Sequence, residues 1–155
     1  MKTPTDSRSI KVDHDLEKAI PYLVTRAGAR MGNAFSNALK PYGLSLSEWR
    51  VCASLGYKPG QTLSELVMHA SVDMSALSRI VDRLVQQGLV RRAKSERDGR
   101  AVSLSLTPKG AALAREIAPL AKHYEKVALT RFTEQEVEVL RRLLIQLYDN
   151  AEPLE

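Results

Sequence analysis

Cysteine is nearly missing from this sequence: Cys52 is the only one, so a disulfide within the chain and a cysteine-rich zinc site are both excluded. Histidines are three, His14, His69 and His123, too scattered to share ligand spacing with one another. Aromatic residues are scarce as well, five Tyr, two Phe and Trp49. No apolar run approaches the ~18–20 residues of a membrane span. The opening stretch MKTPTDSRSIKVDHD has no apolar segment followed by a small-residue cleavage site, so no signal peptide is read there and a cytoplasmic location is expected. There is no Gly-rich phosphate loop, no Ser/His/Asp or Cys/His set in a known context, and no metal-ligand cluster. The expectation is a protein that is not an enzyme, with no catalytic residues, no cofactor and no metal.

What is present is ordinary globular material. The chain has 155 residues, 44% hydrophobic and 26% charged, enough for one domain with a real core. Net charge is +5, unevenly spread. Residues 71–110 hold eight Lys and Arg against four Asp and Glu, whereas residues 111–155 hold six against eight. A basic middle segment favours a polyanionic partner and steers it by long-range attraction.

Hydrophobic spacing organises the rest. Residues 1–12 are polar and aperiodic and read as a flexible arm. From Leu16 an apolar stripe (Leu16, Ile20, Leu23, Ala27, Met31, Phe35, Leu39) predicts a long helix ended by Pro41 and Gly43, with a kink or fresh start at Pro21. Three Ser/Thr-x-x-Glu capping boxes, Ser45 to Glu48, Thr62 to Glu65 and Thr133 to Glu136, mark further helix starts. The link Ser71-Val72-Asp73 introduces a helix over Met74–Gln87, with Asp73 as N-cap and Gly88 at its end. The period then changes to two: 89–93 and 101–106 predict strands around the polar tip Ser95–Arg100, which contains Asp98-Gly99. Thr107-Pro108 opens a helix to about Thr130, interrupted or kinked at Pro119, and a last helix spans about Glu134–Tyr148.

Two short helices joined by a tight turn and followed by a basic hairpin make a winged helix-turn-helix. On a helical wheel Met74, Leu77, Ile80, Val81, Leu84 and Val85 share one face of the second helix. Ser75, Arg79, Asp82 and Gln86 point the other way, flanked by Ala76, Ser78 and Arg83. Small residues near the helix start allow close approach to a major groove, and Arg can pair with guanine O6 and N7 through two hydrogen bonds. The hairpin packs Arg91, Arg92, Lys94, Arg97 and Arg100 into ten residues. An arginine-bearing tip suits a minor groove, with Asp98 orienting an arginine.

These residues resemble the MarR-type family of winged helix-turn-helix transcription factors over about residues 15–148. The motifs are Leu44-Ser-Leu-Ser-Glu-Trp-Arg50, Met74-Ser-Ala-Leu-Ser-Arg-Ile-Val-Asp-Arg-Leu84, Gly88-Leu-Val90, and the wing Ser95-Glu-Arg-Asp-Gly-Arg100 running on to Leu106-Thr-Pro-Lys-Gly110. The family wing commonly reads Asp-x-Arg-Asp-x-Arg; Ser95 stands at its first acidic position. The resemblance implies a mainly α fold with a small β-hairpin wing. Residues 13–155 would form one domain, with a winged lobe over about 45–107 and dimerisation helices over about 15–41 and 108–150. It implies a homodimer binding a palindromic double-stranded DNA operator, as a repressor that a small aromatic or phenolic carboxylate releases. Ser75, Ala76, Ser78, Arg79 and Arg83 would serve the major groove and backbone, and Arg97, Asp98 and Arg100 the wing contact. A winged-helix protein-interaction module without DNA binding, or a redox- or metal-responsive regulator of the same fold, are the alternatives.

One residue offers a handle on the effector. Arg30 falls on the apolar stripe of the first helix, near Leu23, Ala27 and Ala34, where an unpaired charge is costly. An ion pair within or between subunits, a side chain that snorkels out, or a ligand carboxylate would each satisfy it. Arg26, Tyr22 and Trp49 are its neighbours by family position. Cys52, between Val51 and Ala53 in mid-helix, reads first as a small buried hydrophobe and second as a redox sensor.

Overall fold

The computed structural model describes residues 12–154, so apart from Val12 the arm expected over 1–12 lies outside the described residues. A short 3-10 turn at Leu16–Lys18 precedes α1 (Ile20–Leu39). Pro21 therefore marks a fresh helix start rather than a kink, because the first turn of a helix needs no proline N–H. Next come α2 (Leu46–Tyr57), α3 (Leu63–Ala70), α4 (Met74–Gln86), β1 (Val90–Lys94), β2 (Val102–Leu106), α5 (Pro108–Ala128) and α6 (Glu134–Ala151).

Local chemistry sets most of these boundaries. All three capping boxes form, each Ser or Thr oxygen accepting the N–H of the Glu three residues on while that carboxylate accepts the cap's own N–H. Asp73 caps α4 by accepting the Ala76 N–H at 2.8 Å, and Thr107 caps α5 by accepting the Gly110 N–H at 3.0 Å. The link between α3 and α4 turns through Ser71 in the left-handed region, φ 55°. Of the interruption or kink expected at Pro119, the interruption is absent: α5 is helical straight through that residue. Pro119 is exposed, and the ladder forgoes the one hydrogen bond its N–H would have donated.

The core lies where α2, α3 and α4 meet the wing. Leu55, Leu66, Leu77, Val81, Leu84, Val90 and Leu104 are buried there, and from the long helices Phe35, Leu39 and Ile117 join them. Antiparallel β1 and β2 pair from Val90 with Leu106 to Lys94 with Val102. Beyond β2, Gln61 adds a third edge by an isolated bridge to Leu104. Sequence reading missed this: Gln61 is buried, and its amide donates to the carbonyls of Ser54 (2.9 Å) and Lys58 (2.7 Å), which satisfies the polar group the core encloses.

Where α5 enters the lobe, the backbones touch. A Cβ on Gly110 would stand 2.0 Å from the Leu89 carbonyl oxygen, and Thr107 donates its N–H to that same oxygen at 3.0 Å. The outer helices look different. α6 contains no buried residue, and Leu143, Leu144, Ile145, Leu147 and Tyr148 stand exposed along it. Ile20, Leu23, Val24 and Met31 do the same on α1.

Candidate nucleic-acid interface

On α4 the predicted division of faces holds. Leu77, Ile80, Val81 and Leu84 are buried; Ser75, Arg79, Asp82, Arg83 and Gln86 are exposed; Ala76 and Ser78 are half-buried on the flank. Met74, placed on the apolar face by the wheel, is exposed, since it lies in the first turn at the edge of the lobe.

Two ion pairs on this helix were not legible beforehand. Arg83 donates from Nε to Oε1 of Glu48 at 3.0 Å, tying α4 to the first turn of α2. Asp82 pairs with Arg92 of β1, which joins the recognition face to the wing strand. In both cases the partners are far apart in sequence, so spacing gives no signal; the one clue for Glu48 was its place in a capping box.

The wing tip is closed by short-range bonds. Ser95 donates its N–H to the Ala101 carbonyl at 2.9 Å, and the Asp98 carbonyl accepts the Ala101 N–H at 3.0 Å. Ser95 Oγ, itself buried, accepts the N–H groups of Arg97 and Asp98, each at 3.3 Å. A hydroxyl thus does the turn-capping that an Asp carboxylate can do at the same position. Asp98 turns its carboxylate inward onto the Arg100 N–H at 3.0 Å, orienting the backbone rather than a guanidinium. The side chains of Arg97 and Arg100 remain exposed.

Among the described residues Arg97 has one counter-charge. Glu65 Oε1 receives Arg97 at 3.4 Å and Lys58 at 3.3 Å, while its other oxygen accepts the Thr62 N–H at 2.8 Å. The Thr62 N–H, with Lys58 and then Arg97 adding to it, lowers the Glu65 carboxyl to about 2. It is therefore ionised at any pH where DNA binding is of interest. These pairs are exposed enough that they contribute little to stability.

The effector candidates separate into two places. Arg30 and Trp49 line a cleft of about 570 Å³ between α1, α2 and α5, with Phe35, Leu46, Arg50 and Tyr124. Arg26 and Tyr22 lie further up α1, the guanidinium 5.8 Å from the ring centroid. Arg30, placed by its stripe where a charge would be enclosed, is exposed in the chain, because the part of α1 that carries it is not covered. Trp49 is buried and meets Phe35 edge-on at 6.1 Å. Cys52 is buried too; burial first and the Glu48 charge second push its thiol up to about 12, so it is held as the unreactive thiol.

A turn-linked pair of helices presenting small residues and arginine on the outer face of the second, beside an arginine-tipped hairpin, defines a winged helix-turn-helix DNA-binding protein. Comparison with known proteins narrows the class. A model of the MarR family matches residues 44–102, from the edge of α2 into β2. An HTH-type transcriptional repressor of Mycobacterium tuberculosis is 33% identical over 126 residues, covering 81% of this chain and 91% of that protein. The multiple antibiotic resistance protein MarR of Escherichia coli is 32% identical, covering 79% and 84%. Among solved structures, a MarR-family transcriptional regulator from Silicibacter pomeroyi superposes with a TM-score of 0.79 at 30% identity, covering 88% of this chain and 92% of that one. The chain belongs to the MarR family. Its members are DNA-binding transcriptional regulators that dimerise, and they are not enzymes.

Proposed function

We propose that two copies of the chain bind a palindromic operator as a repressor, each placing α4 in a major groove and its wing in the adjoining minor groove. The observation that carries this reading is the exposed face of α4. Ser75 and Arg79 lead it, and Asp82, the acidic residue among them, is already neutralised by Arg92. Ser75, Ala76, Ser78 and Arg79 approach base edges, Arg83 the backbone, and Arg97 and Arg100 the minor groove, while Asp98 shapes the tip. Dimerisation runs through the uncovered apolar surfaces of α1 and α6, which sets the two recognition helices about one DNA turn (~34 Å) apart.

The cleft beside Arg30 and Trp49 takes a small aromatic or phenolic carboxylate: its apolar wall suits a ring, and Arg30 and Arg50 suit the anion. Occupation there favours a dimer whose two lobes no longer match the groove spacing.

The deciding experiment recovers and sequences genomic fragments bound by the purified protein at about 150 mM salt, where non-specific contacts are weak. A shared palindrome with half-sites one turn apart is expected. Salt-labile binding with no shared sequence reduces the protein to a basic surface, and no bound fragment at all favours a protein-interaction module. For the effector, Arg30→Ala is expected to abolish release by ligand while sparing DNA affinity; loss of both makes Arg30 structural.

A further inference from the structure

Glu48 stands apart from the other two capping-box glutamates. Glu136 is exposed and Glu65 is half-buried, but Glu48 is 6% exposed. A buried carboxylate needs both oxygens engaged. Here Oε2 accepts the Ser45 N–H at 2.9 Å, which completes the cap of α2, and Oε1 accepts Arg83 Nε at 3.0 Å. The pair is lopsided. The carboxylate is enclosed and anchored by a helix cap, whereas the Arg83 side chain is 54% exposed. Among the described residues Nε carries the one side-chain hydrogen bond of Arg83. Holding Nε restrains the plane of the guanidinium and leaves both Nη groups without a side-chain partner among the described residues, a fork of the kind that matches phosphate oxygens.

The surroundings fit the same role. Arg83 lies one turn beyond Arg79, about 6 Å along the helix axis. Its neighbour Asp82, which would repel a phosphate, is paired with Arg92.

We propose that Glu48 is a positioning residue for DNA binding: buried in the cap of α2, it holds Arg83 of α4 by Nε and so presents the free Nη edge to a backbone phosphate. The inference rests on the reading of α4 as the DNA-contacting helix. It also has an unusual sign. Simple electrostatics says that neutralising a carboxylate near DNA tightens binding, because the protein becomes more positive. Loss of orientation says the opposite.

The test titrates a mixed-sequence 30-base-pair duplex at about 50 mM salt with the full-length wild type, Glu48→Gln, Arg83→Ala and the double variant. Glu48→Gln is expected to bind about three- to tenfold more weakly, and to cause no further loss when Arg83 is already Ala. Unchanged or tighter binding by Glu48→Gln overturns the proposal. Equal losses with and without Arg83 overturn it too, since Glu48 then acts only through the stability of the cap. Should Glu48→Gln fail to fold, Arg83→Lys decides: it keeps the charge on an exposed side chain but loses the fork. It is expected to bind as weakly as Arg83→Ala, and wild-type affinity would refute the positioning role. Absence of salt-sensitive binding by the wild type would instead bring down the DNA reading on which all this stands.

Discussion

The winged lobe and the long terminal helices use the same kinds of side chain to opposite ends. Between residues 44 and 104 most aliphatic positions serve one shared core, and among the described residues fourteen of the seventeen buried apolar ones lie there. In α6 the leucines are as frequent, yet none is buried. The lobe can hold its shape by its own packing. A helix such as α6, with its apolar surface in water, cannot offset the entropy of its ordering without a further surface to cover it. Apolar pattern alone does not say whether a stripe faces its own chain or another. The family dimerises, and the uncovered stripe is the surface we propose for the second copy.

That contrast can be broken from either side. The largest effect is expected from Leu144→Asp combined with Leu147→Asp on α6. Sedimentation should show the mass of a single chain and DNA affinity should collapse, while hydrogen exchange in the lobe stays protected; a dimer that survives would move the interface elsewhere. Within the lobe, Gly110→Ala forces a methyl group against the Leu89 carbonyl, and we expect a loss of about 3 kcal/mol or more in urea unfolding. Arg79→Ala should cost about 1–3 kcal/mol of binding and relax preference at one base pair, and equal loss on every sequence would recast Arg79 as a phosphate contact. Arg97→Ala or Arg100→Ala should lower the salt slope by about one, and a slope that stays put removes the wing from the interface.

The smallest effect expected is at Glu65. Its carboxyl is held down in the folded state to about 2, against an ordinary 4.5, so its contribution is present above the ordinary value and fades as pH falls toward the folded one. Glu65→Gln should lower the neutral plateau slightly and flatten the acid limb of unfolding in that window, the two curves converging in acid; an unchanged limb would mean that the Thr62, Lys58 and Arg97 contacts do not hold the charge in solution.

Much of this architecture is legible in sequence because it is local. Capping boxes, the Asp73 cap, the alternation of Val102, Leu104 and Leu106, and the Gly88 stop each depend on residues within a few positions of one another, and each is found where spacing puts it. The outer face of α4 was legible for the same reason. What sequence hides is partnership across the fold. Nothing near Gln61 announces that it is buried against the α2 terminus, and nothing near Arg83 announces Glu48. Arg30 shows the limit in reverse. Its stripe is apolar, but the part of α1 that carries it is left uncovered by the rest of its own chain, so no core within one chain encloses the charge. The cleft with Trp49 depends on how α1 and α5 cross α2, and no spacing rule contains that.

The contact of Gly110 with Leu89 has a mechanical consequence. With no atom's width between the start of α5 and the chain entering β1, and with Thr107 bonded to the same carbonyl, the first turn of α5 and the base of the wing have no room to slip past one another. α5 and the hairpin then turn as a single crank. If two copies pair through their long helices as proposed, the angle at which those helices cross sets the distance between the two wing tips.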